Sequence, residues 1–186
     1  FTIGQRMENR GCIHSFDLYP QRVELIRSGA RRLGLTIVQA EPRDALLPDP
    51  LLKGKADRVL CDAVCSGLGT IRRKPEIKYK PSAQLDGLPS IQEQILEQSA
   101  EYLKPGGVLV YSTCTLNRKE NEGVTRRFLQ RHPDFLPDPF PCIEGYTMLG
   151  TLLGNSDAHP PLLWEATLLP GMSDGFYLCR MRKQPE

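Results

Sequence analysis

Short apolar runs with the two-residue period of strands alternate with stretches of helical period along this chain, and that alternation limits the fold more than any other feature. The run "CIHSFDLY" reads as a strand over residues 12–16, ending at Asp17. Pro20 suits the first turn of a helix, and "RVELIRSGARRL" follows with Val23, Ile26, Ala30 and Leu33 on one face. Further strands are expected at 36–40, with Asp44 just beyond, at 57–62 and at 108–113. Between the last two, "SIQEQILEQSAEYL" is amphipathic, with Ser90 as its cap, Glu93 completing a capping box, and a stripe of Ile91, Ile95, Leu96 and Leu103. "KPGG" from Lys104 stops it. "RKENEGVTRRFLQRH" reads as a charged helix ended by Pro133. Residues 133–163 are rich in Pro and Gly and lack periodicity, which predicts a loop or insertion. "LWEATLLP" and "DGFYLCRMRK" supply two closing strands. The order predicts an α/β, doubly wound sheet in a single domain over residues 1–186. "FTIGQRMENRG" reads as the end of a helix, with Ile3 and Met7 four apart and Gly11 as its C-terminal cap, so the chain is expected to be a fragment lacking its start.

Composition narrows the function classes. Hydrophobic residues make up 40% of the 186, charged residues 25%, and the net charge is +2, so a nucleic-acid footprint has to be local. No apolar run reaches the roughly 18–20 residues of a membrane span, and no secretory or lipidation signal is visible. The histidines are only His14, His132 and His159, and no CxxC pair occurs, so no metal is expected. Six cysteines in a chain of this size, most of them in or beside apolar strand-like runs, predict reduced thiols in a cytoplasmic monomer rather than three disulfides.

In doubly wound folds ligands bind beyond the carboxyl ends of the strands. Asp17, Asp44, Asp62, Cys65 and Cys114 all fall at or just after such ends. Singly, an Asp there is a turn former and a Cys is small-residue packing; together they suggest a site. A carboxylate ending the strand before a crossover helix suits ribose hydroxyls, and Asp17 fits; Asp44 could accept from an adenine amino group. No GxxxxGK[ST] run is present, so the adenosine need not carry phosphates, and S-adenosylmethionine has that shape. Two thiols suit methylation at carbon 5 of a pyrimidine. A thiolate adding to carbon 6 makes carbon 5 nucleophilic, and a second group then assists release. Arg72, Arg73, Lys74, Lys78 and Lys80, with Tyr79, follow Cys65 directly, where phosphates flanking a target base would lie. Arg118, Lys119, Arg126 and Arg127 lie near Cys114, but the interleaved acids make a solvated helix face an equal reading. Trp164 reads as core.

These residues carry a resemblance. "DAVCSGLGTIRRKPEIKY" resembles the DAPCSGxGxIRRxPDIK motif of the Sun family, the bacterial 16S rRNA cytosine-C5 methyltransferases of the RsmB kind. "LKPGGVLVYSTCTLNRKENE", "LLPGMSDGFYLCRMRK" and "FDLYPQRVELIRSGARRLGL" are similar to its thiol block, closing strands and cofactor segment. The resemblance implies a Rossmann-like class I methyltransferase sheet and S-adenosyl-L-methionine as cofactor. It implies Cys114 as nucleophile and Cys65 in product release. Asp17, Asp44 and Asp62 would contact the cofactor, and Asp62 also the target base. The substrate would be a flipped or single-stranded cytidine in RNA, 16S rRNA in particular. The chain departs from the pattern twice. Val64 replaces a proline, which predicts a looser Cys65 loop, and the family's glycine-rich cofactor loop with its central strand would precede Phe1. The rival readings are a catalytically incompetent fragment acting as an RNA-binding module, and a thiol redox protein pairing Cys61 with Cys65.

Overall fold

The structure, a computed structural model, describes residues 1–81, 85–143, 147–152, 162–171 and 173–185; His159 and parts of the 133–163 span lie outside them. The chain forms two compact units, Phe1–Pro48 and Asp49–Glu186.

In the first unit, β1 (Ile13–Asp17) and β2 (Val38–Pro42) pair in parallel, Ile13 opposite Val38 and Asp17 opposite Pro42. A parallel pair needs a crossover, supplied by α2 (Pro20–Arg32), with Pro20 in its first turn as expected. Val23 and Ala30 are its buried apolar residues, whereas Leu33 is exposed at its C-terminal cap. The Arg27 guanidinium donates twice to the Ala40 carbonyl, at 3.0 and 2.7 Å, and so fastens α2 to β2. The leading helix, α1 (Thr2–Arg6), stops before the expected cap at Gly11. Glu8 and Asn9 take left-handed backbone angles there. Asn9 tolerates that conformation, and its amide also accepts from the Thr36 N–H (2.9 Å) and donates to the Gly34 carbonyl (3.0 Å). A side chain bonded to distant backbone ends this helix, which sequence spacing does not reveal.

In the second unit, β3 (Ala56–Asp62) and β4 (Leu103–Thr113) are parallel, joined through α3 (Leu88–Glu101). Beyond β4 come α4 (Glu122–Arg131), β5 (Phe135–Pro137), β6 (Phe140–Pro141), β7 (Met148–Leu152), β8 (Leu162–Leu168) and β9 (Phe176–Lys183). The sheet order is β3-β4-β9-β8-β6, with β5 on β9 and β7 on β8. All pairs except β3 with β4 are antiparallel. Among its described residues, the span 133–163, which lacks side-chain periodicity, contains the short strands β5, β6 and β7 ahead of the start of β8. They are recruited through main-chain bonds to β8 and β9, which demand no alternation of side chains.

α3 begins two residues before Ser90, with Pro89 in its first turn and no side-chain cap. Its buried residues are Gln92, Leu96, Ser99 and Ala100 rather than the stripe through Ile91, and Leu103 already belongs to β4. The helix face turned inward is therefore rotated from the apolar count, because a buried glutamine takes one of its positions. The core gathers Leu96, Leu103, Leu109, Tyr111, Val124, Phe128, Phe135, Tyr177 and Met181, with Trp164 among them as expected. Tyr111 and Tyr177 meet edge to face at 6.2 Å, and Phe128 and Phe135 at 5.1 Å.

Most of the basic residues of α4 are occupied. Arg127 pairs with Glu93, Arg131 bonds Glu97 at 2.8 Å and Glu93 at 3.3 Å, and His132 pairs with Glu97. Exposed pairs of this kind contribute about 0–1 kcal/mol each, so the α3–α4 contact rests chiefly on Leu96, Val124 and Phe128. Arg126 reaches Glu165 of β8, only 2% exposed, which also accepts from Thr151 and Tyr177. Among the described residues no helix is long and apolar enough to cross a membrane.

Candidate active site

Parallel pairing of β3 with β4 sets Asp62 opposite Ser112 and carries both chains out at the same sheet edge. The pairing continues one step further, with the Ala63 N–H donating to the Ser112 carbonyl at 3.0 Å. The two cysteine loops begin there. Cys65 Sγ and Cys114 Sγ lie 3.2 Å apart, both half-buried. Strand register brings two thiols separated by 49 residues to the same place.

Several bonds pin the loops. The Gly69 N–H donates to the Cys114 carbonyl (3.0 Å), and the Gly175 N–H to the Gly69 carbonyl (2.9 Å). Ser66 Oγ and Thr115 Oγ1 share a hydrogen bond of 2.7 Å. Gln92 Nε2 donates to the Val64 carbonyl at 2.8 Å. The looser loop expected from Val64 is not what the structure has: it is anchored at Val64, Ser66 and Gly69, and does not depend on the fixed backbone angle of a proline. Gly67 takes a left-handed φ of 77°, which favours glycine. At Gly69 a Cβ would stand 2.1 Å from the Gly175 carbonyl oxygen and 2.9 Å from that of Cys114. Both are backbone atoms that cannot swing aside. Gly69→Ala is therefore expected to cost about 1–3 kcal/mol, read as a lower melting temperature, and to slow alkylation of Cys114 as its loop shifts.

The four cysteines of the second unit's sheet and site differ in reactivity for physical reasons. Burial pushes the Cys61 thiol up to about 12 and the Cys179 thiol higher still, which makes both inert at neutral pH. At the contact, one hydrogen bond acts in opposite directions on its partners. Either sulfur can donate in this contact; with the proton on Cys65, the Cys114 thiol is lowered from 9.0 to about 7 and Cys65 is driven up. Burial and the charge of Asp62 oppose the fall at Cys114, and Lys74 favours it. The pairing of Cys61 with Cys65 that a redox protein would need is absent: Cys61 is buried in the core, and the sulfur that Cys65 meets is Cys114.

Asp62 is exposed and accepts from Ser112 Oγ at 3.0 Å. In the first unit, Asp17 ends β1 and Asp44 follows β2 by two residues, so both carboxylates lie at the carboxyl ends of neighbouring parallel strands. The Arg43 N–H donates to the Asp17 carbonyl (2.9 Å), and Asp17 and Asp44 each accept a backbone N–H at 2.9 Å. Each carboxylate thus has one oxygen in a turn, and the second oxygen of Asp17 lies 3.7 Å from the Arg22 guanidinium; both are acceptors of the kind that the hydroxyl and amino donors of an adenosine need.

The basic stretch divides. Arg72 donates to the Gly171 carbonyl (2.8 Å) and Arg73 pairs with the buried Asp174, so both brace the loop before β9. Lys74, Lys78 and Tyr79 are exposed around a short 3-10 turn, Pro75–Tyr79, anchored by buried Ile77, and neither lysine has an ion pair among the described residues. A surface recess bounded by Asp57, Arg58, Lys104 and Arg182 lies at the opposite end of β3 and β4 and has no part in this site. Among the described residues no His, Cys, Asp and Glu cluster could hold a metal.

Sequence reasoning missed Glu120, Asn121 and Gln92. Glu120 is fully buried; Asn121 accepts from Thr113 Oγ1 (2.6 Å) and donates to the Thr115 carbonyl (3.0 Å). Charged neighbours hide both in the sequence. Gln92 had a signal: with Leu96 and Ser99 it keeps the i, i+4, i+7 spacing of a buried face.

In each unit a parallel strand pair with a helical crossover carries acids or thiols at its carboxyl end, an α/β layout of the Rossmann-like kind. The comparisons agree. A crystal structure titled NSun6 from Pyrococcus horikoshii with SFG, an analogue of S-adenosylmethionine, superposes with a TM-score of 0.76 at 26% identity, covering 99% of this chain and 44% of that one. A methyltransferase homologue from the same organism gives 0.73 at 29%, covering 97% and 56%. Residues 2–182 match the family described as 16S rRNA methyltransferase RsmB/F, and the chain belongs to that family. It is 42% identical over 188 residues to a probable ribosomal RNA small subunit methyltransferase B of Bacillus subtilis, covering 98% of this chain and 40% of that protein. Over 126 residues it is 45% identical to the Thermus thermophilus methyltransferase B, covering 67% and 31%. The chain therefore spans less than half the length of these relatives.

Proposed function

We propose that the protein of which this chain is part methylates carbon 5 of a cytidine in RNA, 16S rRNA in particular, with Cys114 as the nucleophile. The observation that carries the reading is the 3.2 Å contact of Cys65 with Cys114, which brings the Cys114 thiol down to about 7. That contact favours the thiolate of Cys114, the form that attacks, over that of an unperturbed thiol. The thiolate adds to carbon 6 of the base, and the electron pair displaced from the 5,6 double bond makes carbon 5 a nucleophile. When bound, S-adenosylmethionine supplies an electrophilic methyl group on a sulfonium sulfur. Asp17 and Asp44 would hold its adenosine, and Asp62 would face cofactor and base. Once the carbon-5 proton has left to a base, the carbon–sulfur bond breaks and the electron pair returns to Cys114. The S–H of Cys65 then stabilises the departing thiolate through the same hydrogen bond that formed it. Lys74 and Lys78, with Arg72 and Arg73 more fixed, would meet the phosphates on either side of the base.

Similarity to methyltransferases named for the small-subunit ribosomal RNA supports the substrate class. The test is nucleoside mass spectrometry of 16S rRNA after incubation with the intact protein and labelled cofactor. Label in 5-methylcytidine is the expected result; label confined to another nucleoside would overturn the chemistry.

A further inference from the structure

A carboxylate with no exposure at all is costly to bury unless it is well bonded, and Glu120 is such a residue without any cation beside it among the described residues. Its partners explain its position. Glu120 Oε2 accepts from the Ser66 N–H at 2.8 Å and from Gln92 Nε2 at 3.0 Å, and Oε1 accepts from Asn117 Nδ2 at 2.8 Å. Ser66 follows Cys65; Asn117 stands three residues after Cys114; Gln92 belongs to α3 and with its second amide proton holds the Val64 carbonyl. Both Gln92 donors are committed, which fixes the amide's orientation and leaves Oε1 without a partner. The backbone carbonyl of Glu120 accepts from the Tyr111 hydroxyl at 2.7 Å, so β4 sets its position.

We propose that Glu120 is a positioning residue: its one side chain ties the Cys65 loop, the Cys114 loop and α3 together, and so keeps the two sulfurs in contact. Its consequence for turnover rests on the reading of Cys114 as nucleophile. All three partners are donors, so only a group with two accepting oxygens satisfies them. Glutamine supplies one oxygen and one amino group, and one donor then faces another donor. The least costly arrangement keeps the oxygen on Ser66 and Gln92 and turns the amino group towards Asn117, which loosens the Cys114 side. Alanine removes all three bonds. The links of Ser66 with Thr115 and of Thr113 with Asn121 do not pass through Glu120, so the fold remains while the positions that its three bonds set relax.

The test uses Glu120→Gln, Glu120→Ala and Gln92→Leu in the intact protein. Two readouts are taken on whichever variants retain a cooperative melt. The first is the pH midpoint of Cys114 alkylation by iodoacetamide, followed by mass spectrometry of its peptide, with Cys65, Asp62 and Lys74 as the groups that face this sulfur. The second is kcat against KM for RNA and cofactor. Glu120→Ala is expected to raise the alkylation midpoint from about 7 towards 9.0 and to lower kcat about 100-fold, the scale of a misplacement of about 1 Å, with both KM values kept within about twofold. Glu120→Gln and Gln92→Leu move the same way by less. A purely structural role would lower the melting temperature yet leave the midpoint and kcat of the folded variants unchanged, and that result overturns the proposal. A shifted midpoint with undiminished kcat retains the clamp and removes Cys114 from the reaction, which separates this inference from the one beneath it.

Discussion

Cys114→Ala in the intact protein is expected to abolish methyl transfer, by a factor on the order of 10⁴ or more, the scale seen when a covalent nucleophile is removed. Carbon 5 of cytosine does not attack a methyl sulfonium until something adds to carbon 6, and no thiol within the strands of the second unit's sheet can replace Cys114. Cys61 and Cys179 are fully enclosed, and burial holds their protons on. Cys65 is held protonated chiefly by Cys114; the variant removes that cause, so any residual transfer would run through Cys65. The substitution leaves the scaffold in place, because the bond from the Gly69 N–H goes to the backbone carbonyl of residue 114, not to its side chain. Methyl transfer is measured with labelled cofactor, alongside a melting curve that should stay within a few degrees of the unsubstituted protein. A variant that is folded and still transfers methyl at a near-normal rate would remove Cys114 from the mechanism.

Cys65→Ala is expected to have two separable effects. Without its S–H donor, Cys114 loses the chief cause of its lowered value and titrates nearer 9.0 than 7. A thiolate attacks, so attack rises as pH passes the thiol's value. Raising that value moves the onset of attack up the pH scale. At pH 7 the variant should form adduct up to about 50-fold more slowly, the ratio of the two thiolate fractions, and should recover near pH 9. The second effect is at release. The departing thiolate lacks its hydrogen bond, so the adduct accumulates as a protein–RNA species that survives denaturing gels. Stopped assays from pH 6 to 9 check both. Slow formation at pH 7 with a persistent adduct at pH 9 is the expected pattern; a variant that forms and clears adduct like the unsubstituted protein would leave Cys65 without a role.

The strands and the thiols at their ends were legible in the sequence because both depend on local pattern. Apolar runs of period two mark β3 and β4, and Cys65 and Cys114 lie just past their last residues. The contact between the sulfurs was not legible, since it follows from register between strands more than forty residues apart. Glu120 was hidden for a different reason: within "NRKENE" it looks like any solvated acid, and only the convergence of three distant donors makes its burial tolerable. Arg73 is a related case: the basic run marks it, but its ion pair with Asp174, 101 positions away, is not visible in the sequence. The start of α3 was misread because Ser90 offered a familiar cap, while Pro89 was the better marker of a first turn.

The central claim, that Cys114 and not Cys65 bonds to the base, is tested most directly by mapping the adduct. The intact protein is incubated with cofactor and RNA carrying 5-fluorocytidine at the methylated position. Carbon 5 then holds fluorine in place of the proton that must leave, so the carbon–sulfur bond persists. Digestion and tandem mass spectrometry locate the attached nucleotide. The account predicts it on Cys114; attachment to Cys65, or no adduct from a protein that methylates ordinary cytidine, would contradict it.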